Sequence, residues 1–312
     1  MAVRTAKPKE KNRMKASKIA VFLSMLVIIA LAACAPAAAP QPEAEQPAAE
    51  QPAGDQAGAF SRGCKGSAET ALVDLDCRKI NIAVENVYLP FNYVSIETGE
   101  PGGWDYDAMD KICALLHCEP VFHEVSWDVL IQSVADGQYD MGADGVTITE
   151  DRKKSVDFSD GYVKIEQRLL VRKGETRFSS IEDIVADESL VLGTQTATTN
   201  YETAATYLPE DRIKAFETFP FAVQALISKD IDAVIIDQTA GMGYMGENAQ
   251  EVELIGPAIE SQELGFFFPK GSDLVDPINQ ALAAMQADGS LEEIHLKFFG
   301  PNFNVTAEDI QQ

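Results

Sequence analysis

Histidine is scarce in this 312-residue chain, with copies only at 117, 123 and 295. They are scattered, the cysteines show no Cys-x-x-Cys pairing, and His117 is the only imidazole near any of them. Neither a catalytic imidazole cluster nor a zinc centre is expected, and no cofactor is implied. There is no Gly-x-x-x-x-Gly-Lys-Ser/Thr loop, so the chain is not an ATPase of that type. Beyond residue 31 no apolar run is long enough to span a bilayer. Positive charge is short as well: 25 Lys and Arg stand against 49 Asp and Glu. Seven of those basic residues and one acid fall within residues 1–18, so removing residues 1–33 leaves 18 against 48, a net of −30. Such a surface excludes nucleic acid as a partner, keeps the chain soluble and modestly favours cationic ligands.

What is present begins with a basic stretch, an apolar run from Ile19 to Leu31, and then Ala32-Ala33-Cys34. This order reads as a lipoprotein signal over residues 1–33, with lipid attached to the Cys34 thiol and the protein held outside the cell membrane. The apolar run is too short to span as an uncleaved anchor. Residues 34–60 are mostly Ala, Pro, Glu and Gln, a composition that cannot offset its ordering entropy, and read as a disordered tether. The remaining cysteines, Cys64, Cys77, Cys113 and Cys118, are even in number in an exported chain and suggest two disulfides. Three connectivities exist. The local pairs Cys64–Cys77 and Cys113–Cys118 are preferred, the second requiring a helix to end near Leu116.

Strand and helix patterns then alternate. Strands are expected at Lys79–Val84, Val121–Val125 and Asp140–Ala143, with helices at Tyr106–Leu116 and Trp127–Ala135. A second set follows: strands at Leu190–Gly193, Ala233–Ile236 and Leu264–Pro269, and helices to Tyr207, at Phe221–Ser228, Pro277–Ala287 and Leu291–Phe299. This predicts two α/β lobes with mainly parallel sheets: 61–164 and the return segment 263–312 in the first, 165–262 in the second. Crossings between lobes are expected near Lys164–Gln167 and Glu260–Gly265. Asp105 and Asp107 read as a helix start. Arg152 and Asp237 lie far apart in sequence, so a guanidinium and a carboxylate from distant segments can clamp the two charges of a free amino acid.

Several motifs occur in order: Tyr88-Leu89-Pro90-Phe91, Trp104-Asp105-Tyr106-Asp107, Gly145-Val146-Thr147-Ile148-Thr149 with Arg152, Val156-Asp157-Phe158-Ser159-Asp160, Asp232-Ala233-Val234-Ile235-Ile236-Asp237, and Asp288-Gly289-Ser290-Leu291. Over roughly Ile80 to Gly300 the chain resembles the extracellular solute-binding proteins of family 3, amino-acid receptors of ABC importers. The resemblance implies a type II periplasmic-binding-protein fold, two α/β lobes joined by two hinge crossings, closing on a ligand without chemistry. It implies that Arg152 grips the ligand carboxylate with Thr147 and the Thr198 N–H. The ammonium would meet the Gly145 carbonyl and Asp237, and Tyr88 and Trp127 would sandwich the side chain. Glu85 matches a position that is acidic in receptors for basic amino acids. Asp144 departs from the small or hydroxylated residues of relatives, and Gln195-Thr196-Ala197-Thr198-Thr199 from the usual glycine-containing version.

Two carboxylates at the side-chain end favour a basic amino acid, because an aliphatic ligand would leave them desolvated and unpaired. The partners implied are a free amino acid, an ABC permease with its cytoplasmic ATPase, and the membrane through Cys34; a monomer is expected. Two rival readings are a cyclohexadienyl dehydratase-like enzyme on the same fold, with Glu85 or Asp144 as general acid, and an amino-acid sensor domain.

Overall fold

The computed structural model describes residues 59–246, 250–300, 302–306 and 309–311. The expected signal segment, Cys34 and the tether up to residue 58 lie outside the described residues. The strands are β1 Phe60–Ser61, β2 Arg78–Val84, β3 Val87–Tyr88, β4 Asn92–Val94, β5 Pro101–Gly102, β6 Cys118–Glu124, β7 Met141–Gly142, β8 Val156–Phe158, β9 Val163–Arg172, β10 Leu192–Gln195, β11 Ile213–Phe216, β12 Ala233–Asp237, β13 Val252–Leu264 and β14 Phe267–Pro269. The helices are α1 Trp104–Leu116, α2 Trp127–Ala135, α3 Ile181–Ala186, α4 Thr199–Tyr207, α5 Phe219–Ile227, α6 Gln238–Met245, α7 Val275–Asp288 and α8 Ser290–Phe299.

Among the described residues, six strands form the first sheet in the order β1-β6-β2-β7-β14-β8. β2 is central and buried on both faces. Its alternation sends Ile80, Ile82 and Val84 into the core with Trp104, Met109 and Ile112, and Ala83 to the other face with Leu130 and Val134. The second sheet, β11-β10-β12-β9-β13, carries the other lobe. A small three-stranded sheet, β3-β4-β5, lies beside the first.

The sheets are mixed rather than mainly parallel. Pairing is parallel through β6-β2-β7 and β11-β10-β12, and antiparallel where β1, β14, β8, β9 and β13 join. In the second sheet the antiparallel pairs come with the crossings. β9 and β13 run antiparallel to each other, pairing Lys164 with Glu263 and Ile165 with Gln262, so each enters a lobe against its neighbour. The end of β13 also ties into the first lobe, where Ile148 N–H donates to Glu263 O at 2.9 Å and Gly265 N–H donates to Val146 O at 3.0 Å.

Several elements differ from expectation. β1 begins at Phe60, one residue inside the expected tether, because Phe60 pairs with Phe122. α1 starts at Trp104, two residues early; Asp105 and Asp107 stand in its first turn as expected, and Asp105 is fully buried. β10 lies two residues later than expected, and α5 starts at Phe219, since Pro220 is accepted in a first helical turn. Helix α1 ends at Leu116 with His117 in the left-handed region (φ 51°). That reversal carries Cys118 back to Cys113, with Cα atoms 4.7 Å apart; Cys64 and Cys77 are joined at 5.7 Å.

Candidate functional site

A cavity of about 320 Å³, its mouth included, lies between the lobes at the carboxyl ends of β2, β7, β10 and β12. Its lining includes all of Glu85, Tyr88, Trp127, Asp144, Gly145, Thr147, Arg152, Thr198 and Asp237. Gln195, Thr199, Asn200 and Phe219 complete it.

At one end is Arg152, on a single 3-10 turn after the Gly145–Thr149 loop. Its backbone N–H donates to Thr149 Oγ1 at 3.1 Å and its Nη1 donates to Thr147 O at 2.9 Å, which fixes the fork. The guanidinium lies over the Trp127 ring, 5.6 Å from its centroid, a cation–π arrangement. Trp127 is held in turn by its Nε1–H donating to Thr196 O of the other lobe at 3.1 Å. The N-terminus of α4, whose dipole favours an anion, lines the same cavity as Arg152. The Thr198 hydroxyl caps that helix, donating to Gln195 O at 2.7 Å and accepting from Tyr201 N–H at 3.1 Å. The Thr147 hydroxyl donates to Gln262 Oε1 at 3.1 Å, as does the Thr199 hydroxyl at 2.9 Å. Gln167 on β9 also donates to Gln262 on β13, so the crossings themselves brace this end.

Asp237 ends β12 and is buried. Its Oδ2 accepts from the Tyr88 hydroxyl at 2.6 Å and its Oδ1 from Asn200 Nδ2 at 3.2 Å. Burial raises its pKa, while Tyr88, Asn200 and the Arg152 charge pull it back. The rings of Phe91 and Phe219 lie near parallel to Tyr88, with centroids 5.2 and 5.6 Å away. Gly145 has φ +56°, and a Cβ there would lie 2.9 Å from the Tyr88 ring, so only glycine fits.

The other end is acidic. Asp144 Oδ1 accepts from the Glu85 N–H at 2.9 Å and from Asn92 Nδ2 at 2.6 Å. Asp144 Oδ2 is buried with no protein partner. Glu85 Oε1 accepts from Gln195 Nε2 at 2.8 Å, across the lobes. Burial pushes the Asp144 carboxyl up to about 7, against the pull of its two donors. Burial first, then the neighbouring Asp144, lifts Glu85 well above the usual carboxylate range. Among the described residues, the Cys/His group at ligating distance is Cys64, Cys77 and His117, but its two sulfurs are joined to each other and are not thiolates free for a metal.

Asn92, Asn200, Phe219 and Gln262 escaped the sequence reading. Phe219 and Asn200 stand in the first turns of helices beside the cavity, where position after a strand was a usable signal. Asn92 and Gln262 act through partners 52 and 115 residues away, and no local pattern marks them.

Residues 80–301 match the bacterial extracellular solute-binding proteins, family 3. The chain is similar to the L-cystine-binding protein TcyJ of Escherichia coli (strain K12), 27% identical over 224 residues, covering 70% of this chain and 82% of that protein. It is similar to the ABC transporter glutamine-binding protein GlnH of Bacillus subtilis (strain 168), 30% identical over 281 residues, covering 88% and 94%. Among solved structures it resembles the arginine-, lysine-, histidine-binding protein ArtJ from Geobacillus stearothermophilus, with a TM-score of 0.65 at 32% identity, covering 72% of this chain and 96% of that one. The two-lobed α/β architecture is the type II periplasmic-binding-protein fold. This chain belongs to the bacterial extracellular solute-binding proteins of family 3.

Proposed function

We propose that this protein captures an amino acid with a basic side chain by closure of its two lobes and delivers it to an ABC importer, held at the membrane through a lipid on Cys34. The observation that carries the reading is the set of charges lining one cavity: Arg152 and the α4 N-terminus, Asp237 within reach of the Arg152 charge, and Glu85 beside Asp144. The carboxylate of a zwitterion would take the guanidinium fork and the ammonium would take Asp237 and the Gly145 carbonyl. A cationic side chain running between Tyr88 and Trp127 would then end at two carboxyls, one with a free buried oxygen. The relatives named for arginine, lysine and histidine, for glutamine and for cystine are binding proteins, which supports capture rather than turnover.

A thermal-shift screen of the purified protein against the common amino acids, followed by calorimetry, tests this. Arginine, lysine or ornithine should raise the melting temperature most; tight glutamine or glutamate binding with none for arginine would reject the basic side chain. The raised Asp144 carboxyl also suits a general acid acting on a carboxylated ring, and turnover of prephenate would establish that second reading.

A further inference from the structure

The hydrogen bonds around Glu85 and Asp144 fix more than their positions. Asn92 is fully buried, and its amide cannot be reversed. Its Oδ1 accepts from the backbone N–H of Asn86 at 2.7 Å, so its nitrogen must face the carboxyls, donating to Asp144 Oδ1 at 2.6 Å and to Asp105 Oδ2 at 2.9 Å. Asp144 Oδ1 also receives the Glu85 N–H and is therefore an obligatory acceptor. A proton on Asp144 has one place to go, Oδ2. The same holds across the cleft. Gln195 Nε2 donates to the Glu217 carbonyl at 3.0 Å, an acceptor that cannot donate, which keeps the nitrogen facing Glu85 Oε1. A proton on Glu85 is directed to Oε2.

We propose that Asn92 and Gln195 are positioning residues that set the charge this site selects: each holds one carboxyl oxygen as an acceptor, leaving Asp144 Oδ2 and Glu85 Oε2 as the atoms that give up a proton to solvent when the cation of a side chain arrives. The inference rests on the basic-side-chain reading above. A neutral side chain leaves the proton in place; a cationic one sends it to solvent. The neighbours of the pair favour retention of a proton until the cation arrives. Glu217 and Asp128 add negative charge beside Glu85, and Asp105 lies behind Asn92; the phenols of Tyr88, Tyr106, Tyr162 and Tyr244 near the pair are held protonated and add no charge. Burial lifts both carboxyls, Asp144 to about 7.

The test is calorimetry of the purified protein with L-arginine and with L-citrulline, its uncharged isostere, from about pH 6 to about pH 8 in two buffers of different ionisation enthalpy. Arginine should release a proton, wholly or in part, with affinity rising up to about tenfold per pH unit below the pair's titration, while citrulline releases none. Gln195→Met removes one donor at the cavity wall, and Asn92→Leu removes the other. Either should weaken arginine at pH 7 about tenfold more than citrulline and displace the arginine pH profile upward. Arginine bound without proton release, or both ligands weakened equally with unmoved profiles, would overturn the inference and leave the basic-ligand reading standing. Failure of arginine, lysine and ornithine to bind at any pH would overturn that reading and the inference with it.

Discussion

On the proposed reading, Arg152 is the residue on which capture would most depend. Its fork is held by Thr147 O and flattened on Trp127, so its geometry is set before any carboxylate arrives. Hydrogen bonds to charged groups contribute about 1.5–3 kcal/mol. Arg152→Ala should therefore weaken the cognate amino acid by at least about tenfold and up to about 150-fold, read by calorimetry on a variant whose circular dichroism is unchanged. Gly145 makes a different demand. Alanine there would sit 2.9 Å from the Tyr88 ring in a left-handed backbone, costing about 1–2 kcal/mol from conformation alone. Gly145→Ala should lower the urea midpoint and also weaken binding, because the ring that must yield carries the hydroxyl bonded to Asp237. The place of Arg152, Gly145 and Asp237 in the cavity lining was legible because each sits in a short run whose residues are contiguous. Asn92 was not: a polar residue after Pro90-Phe91 reads as turn chemistry, and its meaning comes from Asp105 and Asp144.

At the scale of elements, the crossings are braced by side chains as well as by their ladder. Gln262 Oε1 is the shared acceptor for Thr147, Thr199 and Gln167. Gln262→Leu would remove that acceptor and leave Thr147, Thr199 and Gln167 only their weaker bonds to one another, and a loss of about 1–3 kcal/mol is expected in equilibrium unfolding. The disulfides should differ in weight. Cys64–Cys77 encloses a separation of 13 residues and Cys113–Cys118 one of 5, so the chain-entropy model gives about 3 and about 2 kcal/mol. Paired alanine substitutions compared by urea midpoint should rank them in that order. Long elements with steady apolar spacing, such as α1, α2, α7 and β2, were readable within two residues at each end. The strands β3 and β5, two residues each, are too short for any period to register. Helix α6, with Gly241 and Gly243 inside it, has weak propensity, and close packing against Leu254 and Leu89 holds it instead.

Across the whole molecule, buried acids set the response to pH. Glu85, Asp144 and Asp105 have folded pKa values raised by burial, so each keeps a proton at a pH where the unfolded chain has lost it. The sign follows: stability grows as pH falls through about 7 toward the ordinary carboxylate value, and is lost as pH rises. Carboxyls held low act oppositely. Glu175, drawn down to about 2 chiefly by Arg177, and Asp157, lowered by Lys270, contribute above their ordinary values, and that contribution fades in acid. The ligand-free protein should melt highest near about pH 5, and lower at about pH 8 and about pH 3. Asp144→Asn should flatten the alkaline limb; an unchanged slope would show that Asp144 does not carry it. The order of strands in the first sheet has a further consequence, for synthesis. β14, from residues 267–269, is the partner of both β7 and β8, so β8 and the edge of β7 away from β2 wait for it while the whole second sheet is made between them. A nascent chain leaving ribosome or translocon amino end first can finish its later lobe before its earlier one, and until Phe267 emerges the edge of β7 remains open to mispairing.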